Sequence, residues 1–210
     1  MNAILILLSL VCIMLAIRGV LTEPLEGSRF DSFFFINLVL AAAFAYLPVK
    51  QQMLEAHMEK AVEKLLVMQD VEVYCQSFWD TFYNRLGVAG FVYRGSHKII
   101  LEPRTCDGMA GYLDNPGSPS DAELFSLHVL THEAMHVGGE YNEIKTDCMA
   151  FQRNHVTARL LGVGEAAAVR SAIHLHQWRS PRHPYYSAEC EPGSSLDEKL
   201  PGAVWQRSGG

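Results

Sequence analysis

Five consecutive residues carry a pattern that can do chemistry: His132-Glu133-Ala134-Met135-His136. On a helix, residues four apart lie on one face, so the two imidazoles aim at a single point. That arrangement suits a zinc ion, with Glu133 placed to act as general base on a water held there. Two histidines leave the site incomplete, because a catalytic zinc usually has three protein ligands and an open position. Glu143-x-x-x-Asp147 follows closely, with both carboxylates on one helical face. Glu143 is the favoured third ligand, with Glu140 and Asn142 as alternatives, although an amide such as Asn142 binds zinc poorly. Asp147 can accept a hydrogen bond from the outer N–H of a ligating histidine and so fix its ring. His128, one turn before His132, reads as a capping or supporting residue rather than a ligand. A group that stabilises an oxyanion belongs beside such a centre. Tyr141, Tyr186 and His183 are the candidates.

The surrounding elements can hold these side chains still. Ser120-Asp121-Ala122-Glu123 is a capping box that opens a helix. Leu124, Leu127, Leu130, Ala134 and Met135 give it apolar contacts to about Val137, and Gly138-Gly139 stops it. Further helices are expected over 141–161 and 164–179. A β-like run covers 71–74, and 91–93 with 98–101 flank a turn as a β-hairpin. A strand edge beside the zinc helix can pair with an extended peptide. A helix is expected over 75–86, with Trp79 and Phe82 as core residues. Residues 103–120, rich in Gly, Pro, Asp and Ser, read as a long loop. The tail 185–210 is expected to wrap the domain.

The wider composition restricts the setting. The net charge of −6 points away from a nucleic-acid partner. Much of the apolar content falls in the first fifty residues. Residues 3–17 contain only Ser9 as a polar residue and continue past Arg18 as Gly19-Val20-Leu21, while 33–49 contain only Asn37 as a clearly polar residue. Both approach the about 20 residues that a bilayer core needs. The first segment lacks a charged n-region and an obvious small-residue cleavage site, so an uncleaved anchor is expected. The reading is therefore a membrane anchor over 1–49 (apolar segments about 3–21 and 33–49), an amphipathic helix over 50–70, and a domain over 71–207. Glu55, Glu59 and Glu63 read as pairing partners of Lys50, Lys60 and Lys64 on that helix. Those lysines favour a cytoplasmic domain. Four cysteines outside the apolar segments, Cys75, Cys106, Cys148 and Cys190, favour an oxidising compartment, and they are weighed more heavily.

H-E-x-x-H followed by E-x-x-x-D resembles the gluzincin branch of the zinc metallopeptidases, here with a short spacing between the two motifs. The resemblance implies that His132, His136 and Glu143 bind Zn2+, that Glu133 is the general base, and that Asp147 supports a histidine. More widely, the order of motifs resembles uncharacterised bacterial membrane-anchored or secreted H-E-x-x-H proteins. They share an early Cys before a Trp, a Cys ahead of the zinc helix, E-x-x-x-[DE]-C-x-A, and a late Y-x-S-x-E-C. This likeness implies extracytoplasmic disulfides, Cys75–Cys106 and Cys148–Cys190. The expected fold is α+β: a helix-rich, zincin-like domain with a small β-hairpin behind one or two transmembrane helices. The expected function is membrane-anchored zinc-dependent hydrolysis of peptide or protein substrates. The alternative is a non-catalytic zinc- or disulfide-stabilised surface module that binds a partner protein.

Overall fold

The computed structural model describes residues 2–22, 32–77, 80, 87–179, 187–201 and 204. The chain divides into two compact units, Met1–Leu54 with Ser77–Trp79 and Glu55–Gln76 with Asp80–Gly210.

The first unit is built from α1 (Asn2–Thr22) and the leading part of α2 (Ser32–Leu66). Both helices are long and apolar enough to cross a membrane, and most of their side chains are uncovered by protein. What they bury against each other is small or polar: Ser9, Cys12 and Ala16 on α1, Asn37 and Ala41 on α2. Small side chains let helix backbones approach where lipid offers no hydrophobic drive for association. The polar members are satisfied: Ser9 Oγ donates to the Ala41 carbonyl at 3.0 Å, and Asn37 Nδ2 donates to the Phe33 carbonyl at 2.9 Å. At 35 residues, α2 is about 50 Å long, more than a bilayer core of about 30 Å. Its later turns change character accordingly and bury Met58, Ala61 and Val62 in the second unit.

The second unit is helix-rich with a small sheet. Strands β1 (Glu72–Cys75), β2 (Gly90–Val92) and β3 (Lys98–Leu101) lie in the order β1-β3-β2. β1 runs parallel to β3, with Val73 opposite Ile99, and β2 runs antiparallel to it, with Phe91 opposite Ile100. Helices α3 (Pro103–Asp114), α4 (Asp121–Val137), α5 (Glu143–Leu160) and α6 (Glu165–Arg179) follow, then a short 3-10 turn, η1 (Ala188–Cys190). α4 is the centre, touching α3, α5, α6, β2 and β3. Leu124, Leu127, Leu130 and Met135 are fully buried along it. A helix packed against five other elements can carry histidine and glutamate without fraying, which a metal centre needs.

Three sequence expectations change here. The stretch 103–120 is not one long loop, because 103–114 is helix α3. Pro103 opens it at a position where proline lacks nothing the helix needs. Thr105, Cys106, Met109 and Tyr112 form its buried stripe. Gly108 and Gly111, which suggested a loop, are where α3 meets α4: a Cβ on either would overlap the Ser126 or Glu123 side chain. The second change concerns Cys75, which ends strand β1 instead of opening a helix. The rest of that expected helix, with Trp79 and Phe82, falls almost wholly outside the described residues, as does part of the tail.

The third change concerns α2. Glu59 Oε1 accepts from the Val73 N–H at 3.1 Å and Glu55 Oε1 from the Cys75 N–H at 2.9 Å. The two carboxylates, one turn apart, occupy the outer edge of β1 as a neighbouring strand would. A bare edge invites pairing with other chains, and here the helix covers it.

Two disulfides fasten the unit. Cys75–Cys106 ties the end of β1 to α3, and Cys148–Cys190 ties α5 to η1. The partners are 31 and 42 positions apart in sequence, and each bridge contributes roughly 3–4 kcal/mol in the chain-entropy model. The tail beyond η1 is held further by Arg153, which bonds both carboxylate oxygens of Glu198, and by Gln152, which bonds the Leu196 carbonyl and the Glu198 N–H.

Candidate metal centre

The site lies in the last turns of α4 and the first of α5. Both ends of α4 are closed. Ser120 and Glu123 form the reciprocal capping box. At the other end Gly139 N–H bonds the His136 carbonyl and Glu140 N–H bonds the Met135 carbonyl, the Schellman pattern of helix termination. Gly139 makes this possible with φ 97°, a conformation that strains any residue with a Cβ. The chain then reverses, and Asn142 caps α5 by accepting from the Lys145 N–H at 3.0 Å.

That reversal sorts the three candidates for the third ligand. Glu140 is occupied: its carboxylate accepts from the Tyr141 and Asn142 N–H groups and pairs with Lys145. Asn142 is committed to the cap. Glu143 faces the histidines, with Oε2 at 3.1 Å from His132 Nε2 and Oε1 at 3.6 Å from His136 Nε2. One ligand atom from each of His132, His136 and Glu143 lies within 4.8 Å of the other two, and the group can hold a metal ion.

The outer ring nitrogens are also defined. His136 Nδ1–H donates to the Glu140 carbonyl at 2.7 Å, which leaves Nε2 bare toward Glu143. His132 Nδ1 stands 3.6 Å from Asp147 Oδ1. Both imidazoles therefore present Nε2 to the same carboxylate, the orientation in which outer partners support metal ligands.

Glu133 faces a cleft of about 490 Å³ that also exposes His132, His136 and Glu143. Its side chain is buried, and Oε2 has no hydrogen-bond partner among the described residues. Burial pushes its carboxyl up to about 7, with the His132 charge pulling it down and Glu143 pushing it up. Burial also pulls His132 down, but the bonds to Asp147 and Glu143 and the charge of Glu133 outweigh it and raise the imidazole to about 9. His136 is lowered, first by burial. Glu143 is held low, chiefly by its bond to His132. Three carboxylates thus converge on one spot, no lysine or arginine is among the described residues that line the cleft, and without a metal His132 supplies the missing positive charge as a proton. An orphaned buried carboxylate oxygen beside two imidazole Nε2 atoms, that of His136 bare and that of His132 carrying a proton a cation would displace, fits a divalent cation with N and O ligands.

Strand β2 forms the facing wall of the cleft. Gly90 brings it close: a Cβ there would sit 3.0 Å from Val129 and 3.1 Å from Glu133 Cγ. Because Ala89 accepts from the Glu102 N–H, the alternation of the antiparallel ladder turns the Gly90 and Val92 backbone groups to the outer edge.

Of the three oxyanion candidates, Tyr186 and His183 lie outside the described residues. Tyr141 is a strut. Its hydroxyl accepts from the Gly95 N–H at 3.0 Å, its ring stacks on His136, and Arg94 lies over it. The other described histidines do not join the centre: His155 pairs with Glu165 and His174 with Asp121. His128 stands where a supporting residue would, bonding Asp147 at 2.8 Å. Asn154, which bonds His128 at 3.1 Å, was not singled out by sequence. Its only signal is a two-turn spacing from Asp147 on α5.

Compared with known proteins, the chain matches no family model, no curated protein and no solved structure.

Proposed function

We propose that this protein is a membrane-anchored zinc metallopeptidase with a zincin-like domain, its catalytic part on the oxidising side of the membrane. The observation that carries the reading is the convergence of His132, His136 and Glu143 on the floor of an open cleft, with the orphaned carboxylate of Glu133 beside them. Zinc bound there would supply a Lewis acid that polarises a peptide carbonyl and acidifies a neighbouring water. Glu133 takes a proton from that water and returns it to the leaving amine. A carboxyl raised to about 7 suits both halves of that transfer near neutral pH. Strand β2 supports the choice of peptide as substrate. Among the described residues no strand pairs with its outer edge, it lines the cleft, and it can take an extended chain as an added strand. The two disulfides support the oxidising compartment, and the two apolar helices support the anchor.

The test uses the full chain in detergent with fluorescein-labelled casein as probe. The wild type should carry one zinc per chain and cleave the probe. Glu133→Gln should keep its zinc and lose about 10²- to 10⁴-fold in rate. Equal cleavage by the two proteins sinks the general-base assignment. Retained zinc with no cleavage by the wild type favours a zinc-stabilised surface module.

A further inference from the structure

Behind the metal centre the two site helices continue as a polar ladder. Going back along α4 and forward along α5, the residues interleave as His136, Glu143, His132, Asp147, His128 and Asn154. The inner rungs are closed to solvent: Asp147, His128 and Asn154 are each 1% exposed or less. Polar groups this deep are costly unless their bonds are made, and the bonds here have a direction. Asn154 Nδ2 can only donate, so His128 Nδ1 accepts, at 3.1 Å. The His128 proton is therefore on Nε2, which donates to Asp147 Oδ1 at 2.8 Å. The same Oδ1 faces His132 Nδ1 at 3.6 Å. The His128 ring is itself wedged against Phe151, with centroids 4.4 Å apart.

We infer that His128 and Asn154 are positioning residues of the metal centre, orienting the Asp147 carboxylate that holds His132 in its ligating orientation. The inference rests on the zinc reading above and extends it from the ligands and Asp147 to two residues that never touch the ion. The order of action is Asn154 on His128, His128 on Asp147, and Asp147 on His132. Outer partners of metal ligands commonly change affinity by about 10- to 100-fold when removed.

The experiment compares His128→Phe, His128→Gln and Asn154→Leu in the full chain in detergent. The readouts are zinc affinity, the visible spectrum of the cobalt-loaded protein, and histidine ¹⁵N shifts of the metal-free protein. Phe keeps the ring against Phe151 and removes both hydrogen bonds. Gln puts an amide N–H where Nε2–H stood. His128→Phe should weaken zinc about 10- to 100-fold and change the cobalt spectrum, while His128→Gln recovers most of the affinity. Asn154→Leu should weaken zinc by a smaller factor. The shifts should report His128 protonated on Nε2 and bare on Nδ1. A folded His128→Phe with wild-type zinc affinity and cobalt spectrum overturns the inference, as does the opposite tautomer. If His128→Phe does not fold, unchanged zinc affinity in Asn154→Leu overturns it instead. A wild type that takes up no zinc brings down the metal reading and this inference together, whereas the other outcomes bear on the inference alone.

Discussion

Two trios of side chains share His132. On one side, its Nε2 meets His136 and Glu143; on the other, its Nδ1 meets His128 and Asp147. Both trios contain two histidines four residues apart and one carboxylate, and both fit within the reach of a metal ion. They differ in surroundings. The first opens on the cleft, and its outer nitrogen, His136 Nδ1, is spent on a backbone carbonyl so that Nε2 stays bare. The second lies on the inner wall of the same cleft, with His128 and Asp147 each only 1% exposed, and its His128 has both nitrogens engaged, by Asn154 and by Asp147. The same residue types at the same helical spacing thus give a ligand set where lone pairs face an opening and a brace where they face other side chains. Spacing supplies candidates; burial and the partners of the second nitrogen separate them.

The contrast can be broken most sharply at the open trio. His136→Ala should abolish stoichiometric zinc uptake, read by metal analysis, because the remaining pair lacks the three ligands a stable site needs. If zinc persists, it sits elsewhere. A milder lesion is Asp147→Asn, which keeps the shape but loses the charge shared by the two trios. Zinc affinity should fall about 10- to 100-fold, read by competition with a chelating dye, and wild-type affinity would uncouple the brace from the ligands.

Gly90→Ala touches the cleft wall alone. Its Cβ would stand 3.0 Å from Val129 and Leu101, so β2 must shift, at a cost of about 1–3 kcal/mol in thermal stability. Casein cleavage should fall while zinc content stays whole. Loss of zinc instead would mean that β2 supports the ligands directly.

The smallest effect on thermal stability is that of pH. In the metal-free protein His132 is raised from 6.5 to about 9. The stability this contributes is fully present below pH 6.5 and is lost as pH rises through about 9. Glu133, raised from 4.5 to about 7, acts in the same direction at lower pH. The Tm of metal-free protein should therefore decline across this range. Apparent zinc affinity should rise by roughly tenfold per pH unit as the His132 proton becomes easier to displace. A flat Tm profile would place the positive charge elsewhere.

The two edges of the sheet repeat the lesson. On a linear reading Glu55 and Glu59 are surface partners for lysines, yet they cap the backbone of β1. The edge of β2 has no partner strand among the described residues, beside Glu133. Nothing in the spacing of α2 marks that role, because the groups it satisfies belong to a strand packed on it only after folding. Gly108 and Gly111 misled in the same way. In isolation glycine weakens a helix, but here it lets two helices touch, and the gain in packing outweighs the propensity.

What the sequence by itself determined is local and periodic. The H-E-x-x-H face, the capping box that opens α4, the glycine pair that closes it, the two apolar helices and the hairpin follow from rules that operate within one or two turns of chain. Only the tertiary structure decided which carboxylate turns to the histidines, through which partners His128 acts as a brace, which sheet edge lacks a partner strand among the described residues and how residues 103–114 lie. Each of those outcomes depends on a partner distant in sequence. For a buried polar group the balance between desolvation and a completed hydrogen bond is struck only when that partner arrives.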